Sequence, residues 1–221
     1  MDINSQSTTS SVLTQSQATK LLPAWRLVVP LLCQTALILG IPAQSFHTQV
    51  TGKTVILQTM PVDPYDPLRG YSQTLSYDIS RLENLRSLPG WQELIPPTTP
   101  KSTKGQPEYI PPGTIVYVIV EAPVTTSNPP KPWKAVRVSS SLPKSLAVNQ
   151  IALKGKSTGF SIEYGLETYY MPEAQRDQIN QDISQAQQGR QRQAFVVEAK
   201  VNGKGYSVPI SLWVRDRNYR F

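Results

Sequence analysis

From Leu27 to Thr51 the chain carries no Lys, Arg, Asp or Glu. No other stretch restricts the fold as strongly. Its apolar core runs from Leu27 to Ala43. Extended to Phe46 it reaches about 20 residues, or about 30 Å of helix, the thickness of a bilayer's hydrocarbon core. Trp25 and Arg26 precede it, an amphipathic ring and a cation able to snorkel to the interface. Pro30 falls near the helix start, where a missing N–H costs little, and Pro42 marks an end or a kink. The pattern predicts an uncleaved transmembrane anchor over residues 25–46. Cleavage as a signal peptide fits less well, because Ile41-Pro42-Ala43 is a poor site and the polar lead is long. Cys33 follows a leucine in mid-run, the wrong setting for lipid attachment. A buried helix of a soluble protein fits the Trp-Arg flank least.

Orientation follows from charge. Lys20 and Arg26 precede the span, opposed only by Asp2, and the first basic residue after it is Lys53. This bias predicts a cytoplasmic N-terminus and a cell-membrane protein whose bulk is periplasmic or extracellular. Residues 1–24, rich in Ser, Thr and Gln, are expected to be a disordered cytoplasmic tail. Residues 50–221 are expected to form the exported domain. The bilayer is then the first partner, held through residues 25–46.

Composition narrows what that domain can do. The chain has 20 prolines against 12 glycines, which favours loops and strand edges over long helices. A net charge of +7 invites a nucleic-acid reading, but the cations are dispersed and form no stripe interleaved with aromatics, so nucleic acid is not an expected partner. The one cysteine lies in the apolar span and the one histidine, His47, lies at its end. A Cys/His zinc site, a His-based triad and an internal disulfide are all excluded by count. Nothing in the sequence implies a cofactor.

The pattern after Thr51-Gly52 is that of strands. Lys53–Thr59 alternates Val55, Leu57 and Thr59 against Thr54, Ile56 and Gln58. Pro61–Gly70 reads as a loop, because three prolines and a glycine interrupt pairing. Ser72–Ile79, Ile115–Val120, Trp133–Val138, Ile151–Leu153, Gly159–Glu163, Phe195–Val201 and Ser207–Val214 read as further strands. Gly203-Lys204-Gly205 is a hairpin turn between the last two. Pro96–Pro112 and Pro123–Pro132 read as irregular surface loops. Met171-Pro172-Glu173 opens one helix, with Ile179, Ile183 and Ala186 on a narrow apolar stripe and Gly189 as its stop. The stripe predicts that this helix lies flat on the sheet. The expected fold is mainly β, an antiparallel sandwich or partly open barrel with one surface α-helix, preceded by a single transmembrane helix.

Two motifs resemble the GDYXXLXY family of membrane-anchored bacterial proteins. The family signature, Gly-Asp-Tyr-x-x-Leu-x-Tyr, appears as Gly70-Tyr71-Ser72-Gln73-Thr74-Leu75-Ser76-Tyr77. Gly70, Leu75 and Tyr77 match, whereas Tyr71 and Ser72 stand where the family has Asp and Tyr. The lead-in Pro61-Val62-Asp63-Pro64 and Leu68-Arg69 is similar to the family's approach to its signature. The second motif, Tyr164-Gly165-Leu166-Glu167-Thr168-Tyr169-Tyr170-Met171-Pro172-Glu173, is similar to the family's late strand-to-helix passage. The resemblance implies a single N-terminal anchor, an exported domain of unassigned biochemical role and a multi-span membrane protein as partner. A function carried by the missing Asp and Tyr would be lost in this copy.

The candidate residues divide between structure and chemistry. Asp63 and Asp66 each precede a proline and suit local turn bonds better than a calcium loop, which needs more oxygens at closer spacing. Arg69, before Gly70, suits a bidentate tie to Asp63, Asp66 or Glu167. Glu163 and Glu167, four apart, would face one way on a single strand, as a carboxylate pair for glycoside hydrolysis or as part of a sugar groove with Tyr164, Tyr169 and Tyr170. Solvated acids are the simpler reading. A Ser–Lys dyad of Ser72 with Lys53 or Lys154 has little support, and Tyr219-Arg220-Phe221 is discarded as an outer-membrane barrel end. The leading reading is a non-enzymatic, membrane-anchored accessory or interaction protein. Its expected surface comprises Asp63, Asp66, Arg69, Gly70, Tyr77, Glu163, Tyr164, Glu167 and Tyr169, with Tyr77 and Tyr169 reaching into the core where the two motifs pack together. The alternative is a cell-envelope glycan hydrolase or polysaccharide-binding module built on Glu163, Glu167 and the neighbouring tyrosines.

Overall fold

The computed structural model describes residues 25–63, 72–95, 110–125, 127–170, 175–188 and 195–220. The chain divides into two compact units, Met1–Ile41 and Pro42–Phe221. In the first, the described residues begin a helix, α1 (Trp25–Thr51), that continues into the second. Leu27, Leu31, Leu32, Leu37, Ile38 and Leu39 are all exposed among the described residues, so apolar side chains cover this segment.

The second unit is a pair of antiparallel sheets. Its strands are β1 (Lys53–Asp63), β2 (Ser72–Tyr77), β3 (Ile115–Glu121), β4 (Lys134–Ser139), β5 (Gln150–Ser157), β6 (Ile162–Glu163), β7 (Thr168–Tyr170), β8 (Phe195–Val201), β9 (Ser207–Val214) and β10 (Arg217–Arg220). One sheet has six strands in the order β10-β9-β8-β1-β2-β7, and the other has four in the order β4-β3-β5-β6. Val55, Leu57 and Tyr77 of the first sheet share a single buried cluster with Val116, Val118, Leu153 and Ile162 of the second. The alternation expected over Lys53–Thr59 holds: Val55, Leu57 and Thr59 point inward. The β-rich architecture is therefore the one the periodicity predicted.

Each sheet closes an open edge of the other. β1 pairs with β2 only from Thr59 onward, and nearer its start Trp133, just ahead of β4, donates its amide to the Ile56 carbonyl at 2.8 Å. β5 pairs with β6 only at Lys156 and Ser157, and the Lys154 amide donates to Gly205 in the β8–β9 turn at 2.8 Å. Exposed strand edges invite pairing with other chains, and these two backbone bonds cover the open stretches.

Helix α3 (Arg176–Gln188) packs against β9 and buries Ile179, Ile183 and Ala186, the stripe read from the sequence. Its Asp182 pairs with Arg217 at 3.0 Å and accepts a hydrogen bond from the Tyr219 hydroxyl, tying the helix to β10. The expected helix start at Met171-Pro172-Glu173 and stop at Gly189 lie outside the described residues. The β8–β9 hairpin also forms as expected: Gly205 takes φ +86°, and Asn202 Oδ1 accepts from the amides of Lys204 and Tyr206.

Several boundaries differ from expectation. β1 runs through Pro61 to Asp63: Pro61 stays opposite Leu75, and the register shifts before Asp63, which lies opposite Thr74, so that Val62 is bulged. The strand expected from Gly159 begins only at Ile162, since Gly159 sits at φ +98° in a turn closed by Thr158 and Ser161. The loop expected over Pro96–Pro112 holds a core residue, Ile110, whose carbonyl accepts from the buried Ser157 hydroxyl. The strand β7 falls in the strand-to-helix passage that the resemblance implies. A short helix, α2 (Leu82–Leu85), and the strand β10 differ from expectation, because both are too short to carry a readable period.

Candidate functional site

The two motifs come together at the end of the six-stranded sheet. β2, which carries the second half of the signature, pairs antiparallel with β7 of the later motif, Ser72 opposite Tyr170 and Thr74 opposite Thr168. The contact continues past the strand end, where Leu75 donates its amide to the Glu167 carbonyl at 2.8 Å. Two tyrosines then cross in opposite directions. The Tyr77 hydroxyl donates to the Leu166 carbonyl at 2.7 Å, and the Tyr164 hydroxyl donates to the Ile79 carbonyl at 2.7 Å. Each motif thus satisfies a backbone acceptor in or beside the other, inside the core. A buried carbonyl without a partner is costly, so the exchange orders both chain segments at once.

Local chemistry fixes this junction. Gly165 turns the chain at φ +77°, and Glu167 closes the turn by accepting the Tyr164 amide on Oε1 at 2.6 Å. Opposite, Gly155 of β5 leaves the space that the Ile162 side chain and the Tyr164 ring fill. A Cβ there would lie 2.3 Å from Ile162 Cγ2 and 2.9 Å from the ring. Burial, aided by the Glu167 carboxylate, pushes the Tyr164 phenol well above its ordinary pKa. It is therefore a neutral hydrogen-bond donor across the physiological range.

The expected surface residues are placed unevenly. Tyr77 is fully buried and Tyr164 nearly so. Tyr77 lies in the core as expected, whereas Tyr164 also faces the core and offers no ring to the exposed groove or surface expected of it. Asp66, Arg69 and Gly70 lie outside the described residues, as do the side chains of Asp63 and Tyr169, whose backbones lie in β1 and β7. Arg69's expected tie to Glu167 therefore lies outside them too. Glu163 is exposed, opposite Lys156 on β5. Glu163 and Glu167 are not on one strand: Glu163 ends β6 in the four-stranded sheet, and Glu167 precedes β7 in the six-stranded one. The turn at Gly165 breaks the same-face spacing that a continuous strand would have given.

Other residues at the junction escaped sequence reasoning. Ile79 and Leu166 act through their carbonyls, which leave no trace in side-chain pattern. Gly155, between two lysines inside a strand, is the one with a legible signal, since a strand-interior glycine often marks close approach. Beside the junction an open cleft of about 480 Å³ is lined by Gln58, Asp78, Asn84, Trp133 and Lys134. Among the described residues no cluster of three His, Cys, Asp or Glu could hold a metal ion.

Neither a curated protein nor a solved structure matches this chain. A family model does, described as GDYXXLXY protein and aligned with residues 34–212. That span contains both motifs and the tyrosine exchange between them. With most of its length matched, the chain belongs to the GDYXXLXY protein family.

Proposed function

We propose that this chain is a membrane-anchored accessory or interaction protein whose β-rich domain lies outside the cytoplasm. The observation that carries the reading is the segment from Trp25 to Ile41, apolar and exposed at Leu27, Leu31, Leu37 and Ile38 alike. Water is a poor solvent for such a surface, whereas lipid is a good one. No single helix among the described residues is long and apolar enough to cross a membrane, but Trp25–Gly40 and Pro42–Thr51 together have the length and composition. The multi-span partner implied by the family remains part of the proposal. The hydrolase alternative draws little support from Glu163 and Glu167, since Glu163 ends β6 of one sheet and Glu167 precedes β7 of the other, and the polysaccharide alternative loses Tyr164 to the core.

Carbonate washing of membranes and reporter fusions at Phe221 test the reading together. Retention in the pellet and a reporter active only outside the cytoplasm are expected. Release by carbonate, or a cytoplasmically active reporter, overturns it. Leu37→Arg should weaken insertion by roughly 2.5–3.5 kcal/mol.

A further inference from the structure

Three segments distant in sequence meet where the chain passes from Pro42 into the β-rich unit. Asn202 donates from Nδ2 to the buried Thr48 hydroxyl at 2.9 Å. Lys53 lies opposite Val201 in the β1–β8 ladder. Lys154 donates its amide to Gly205 and its ammonium to the Tyr206 hydroxyl, the latter at 3.0 Å. Residues 42–59, 150–156 and 199–209, which make these contacts, contain five lysines and no Asp or Glu. Lys53 and Lys204 are exposed, and in the same segments Phe46, Val50 and Tyr206 expose 68%, 65% and 40% of their surface.

We propose that this face is a docking surface for the anionic headgroups of the bilayer, with lysines on lipid phosphates and Phe46, Val50 and Tyr206 at the headgroup boundary. The proposal rests on the membrane-anchored reading above, because Pro42 follows directly from the apolar segment. Charge complementarity selects the occupant: five lysines against Glu163, opposite Lys156, and Glu198, opposite Ile56, leave a net positive face that attracts an anionic surface, and aromatic rings favour the interface. The way the surface is assembled also fits export. Within the residues just after the helix only Lys53 is basic, so the local charge bias that orients insertion is preserved. Lys154 and Lys204 join it only when the exported domain folds.

The test uses the full chain in nanodiscs of phosphatidylcholine alone or with phosphatidylglycerol added. The readout is amide hydrogen exchange over residues 200–206, with carbonate resistance in matched vesicles scored separately. With phosphatidylglycerol, exchange of the turn should slow by about tenfold. High salt should restore the faster rate, since screening shortens the reach of the lysines. Lys53→Glu with Lys204→Glu should abolish the difference between the two lipids, whereas Lys131→Glu, on the Pro123–Pro132 loop, should leave it intact. Equal exchange in both lipids overturns the proposal, as does protection that ignores salt. Carbonate release speaks only to the anchor: with equal exchange and a carbonate-resistant chain the anchor stands and the docking face falls.

Discussion

Tyr164 and Tyr206 both bridge the two sheets, and they do so in opposite environments. Tyr164 is buried against Gly155 and gives its proton to the Ile79 carbonyl. Tyr206 is exposed and accepts from the Lys154 ammonium, which also sits 4.6 Å from its ring centroid. Their ionisation moves in opposite directions. Burial raises the Tyr164 pKa well above normal, while the hydrogen bond and charge of Lys154 lower that of Tyr206 and are themselves reflected in a raised Lys154 pKa. The contrast teaches that the same side chain serves as structure where water is excluded and as a weak, solvent-screened tie where it is not. The family motifs use the first kind.

The comparison is broken most severely at Tyr77, the reciprocal partner of Tyr164. Tyr77→Ala should cost about 3–5 kcal/mol, the usual range for a large buried aromatic, read as a lowered urea midpoint. An unchanged midpoint would mean that the motif junction does not stabilise the domain. Gly155→Ala should cost about 1–3 kcal/mol, because the new methyl meets the Ile162 side chain and the Tyr164 ring at contact distances too short to accommodate. A neutral outcome would show that the ring can shift. Tyr164→Phe keeps the ring and loses the donor, leaving the Ile79 carbonyl short of a partner at about 1–3 kcal/mol. Paired with Tyr77→Phe in a double-mutant cycle it should show coupling, since the two bonds order the same segments.

Titration sharpens the contrast. With its folded pKa raised, Tyr164 contributes stability that is complete below about pH 10 and is lost as pH climbs above that value. Tyr206, with its folded pKa lowered, contributes fully above about pH 10, and that contribution is lost as pH falls through its lowered value. Lys154 contributes below about pH 10.4 and loses this as pH rises through its raised value. Denaturant melts from neutrality to about pH 11 should therefore show Tyr164→Phe losing less stability than the wild type, and Tyr206→Phe losing more. Parallel pH curves for all three proteins would remove the distinction. At neutral pH Tyr206→Phe has the smallest expected effect, a melting temperature indistinguishable from wild type, because both partners are solvated.

Much of the architecture is local and so was legible. Strand alternation at Val55, Leu57 and Thr59, the stripe Ile179, Ile183 and Ala186, and the Gly203–Gly205 hairpin each follow from steric and solvation rules acting over a few residues. The candidate site was legible in part. The two motifs were expected to pack together with Tyr77 in the core, and they do, but Tyr164 was read as surface and proves buried. Its hydrophobic body and polar tip suit either setting, and only the space above Gly155 decides between them.

By itself, then, the amino-acid order determined the apolar span, the β-rich class and the family, because charge, periodicity and motif spacing are properties of neighbours in the chain. The tertiary structure alone decided the partners: which carbonyls receive Tyr77 and Tyr164, how the turn at Gly165 separates Glu163 at the end of β6 from Glu167 ahead of β7, and how the segments of Lys53, Lys154 and Lys204 are joined through Lys53–Val201 and Lys154–Gly205. Those pairings join residues tens to more than a hundred positions apart, and they are selected by the burial of one shared core, whose packing no local pattern records.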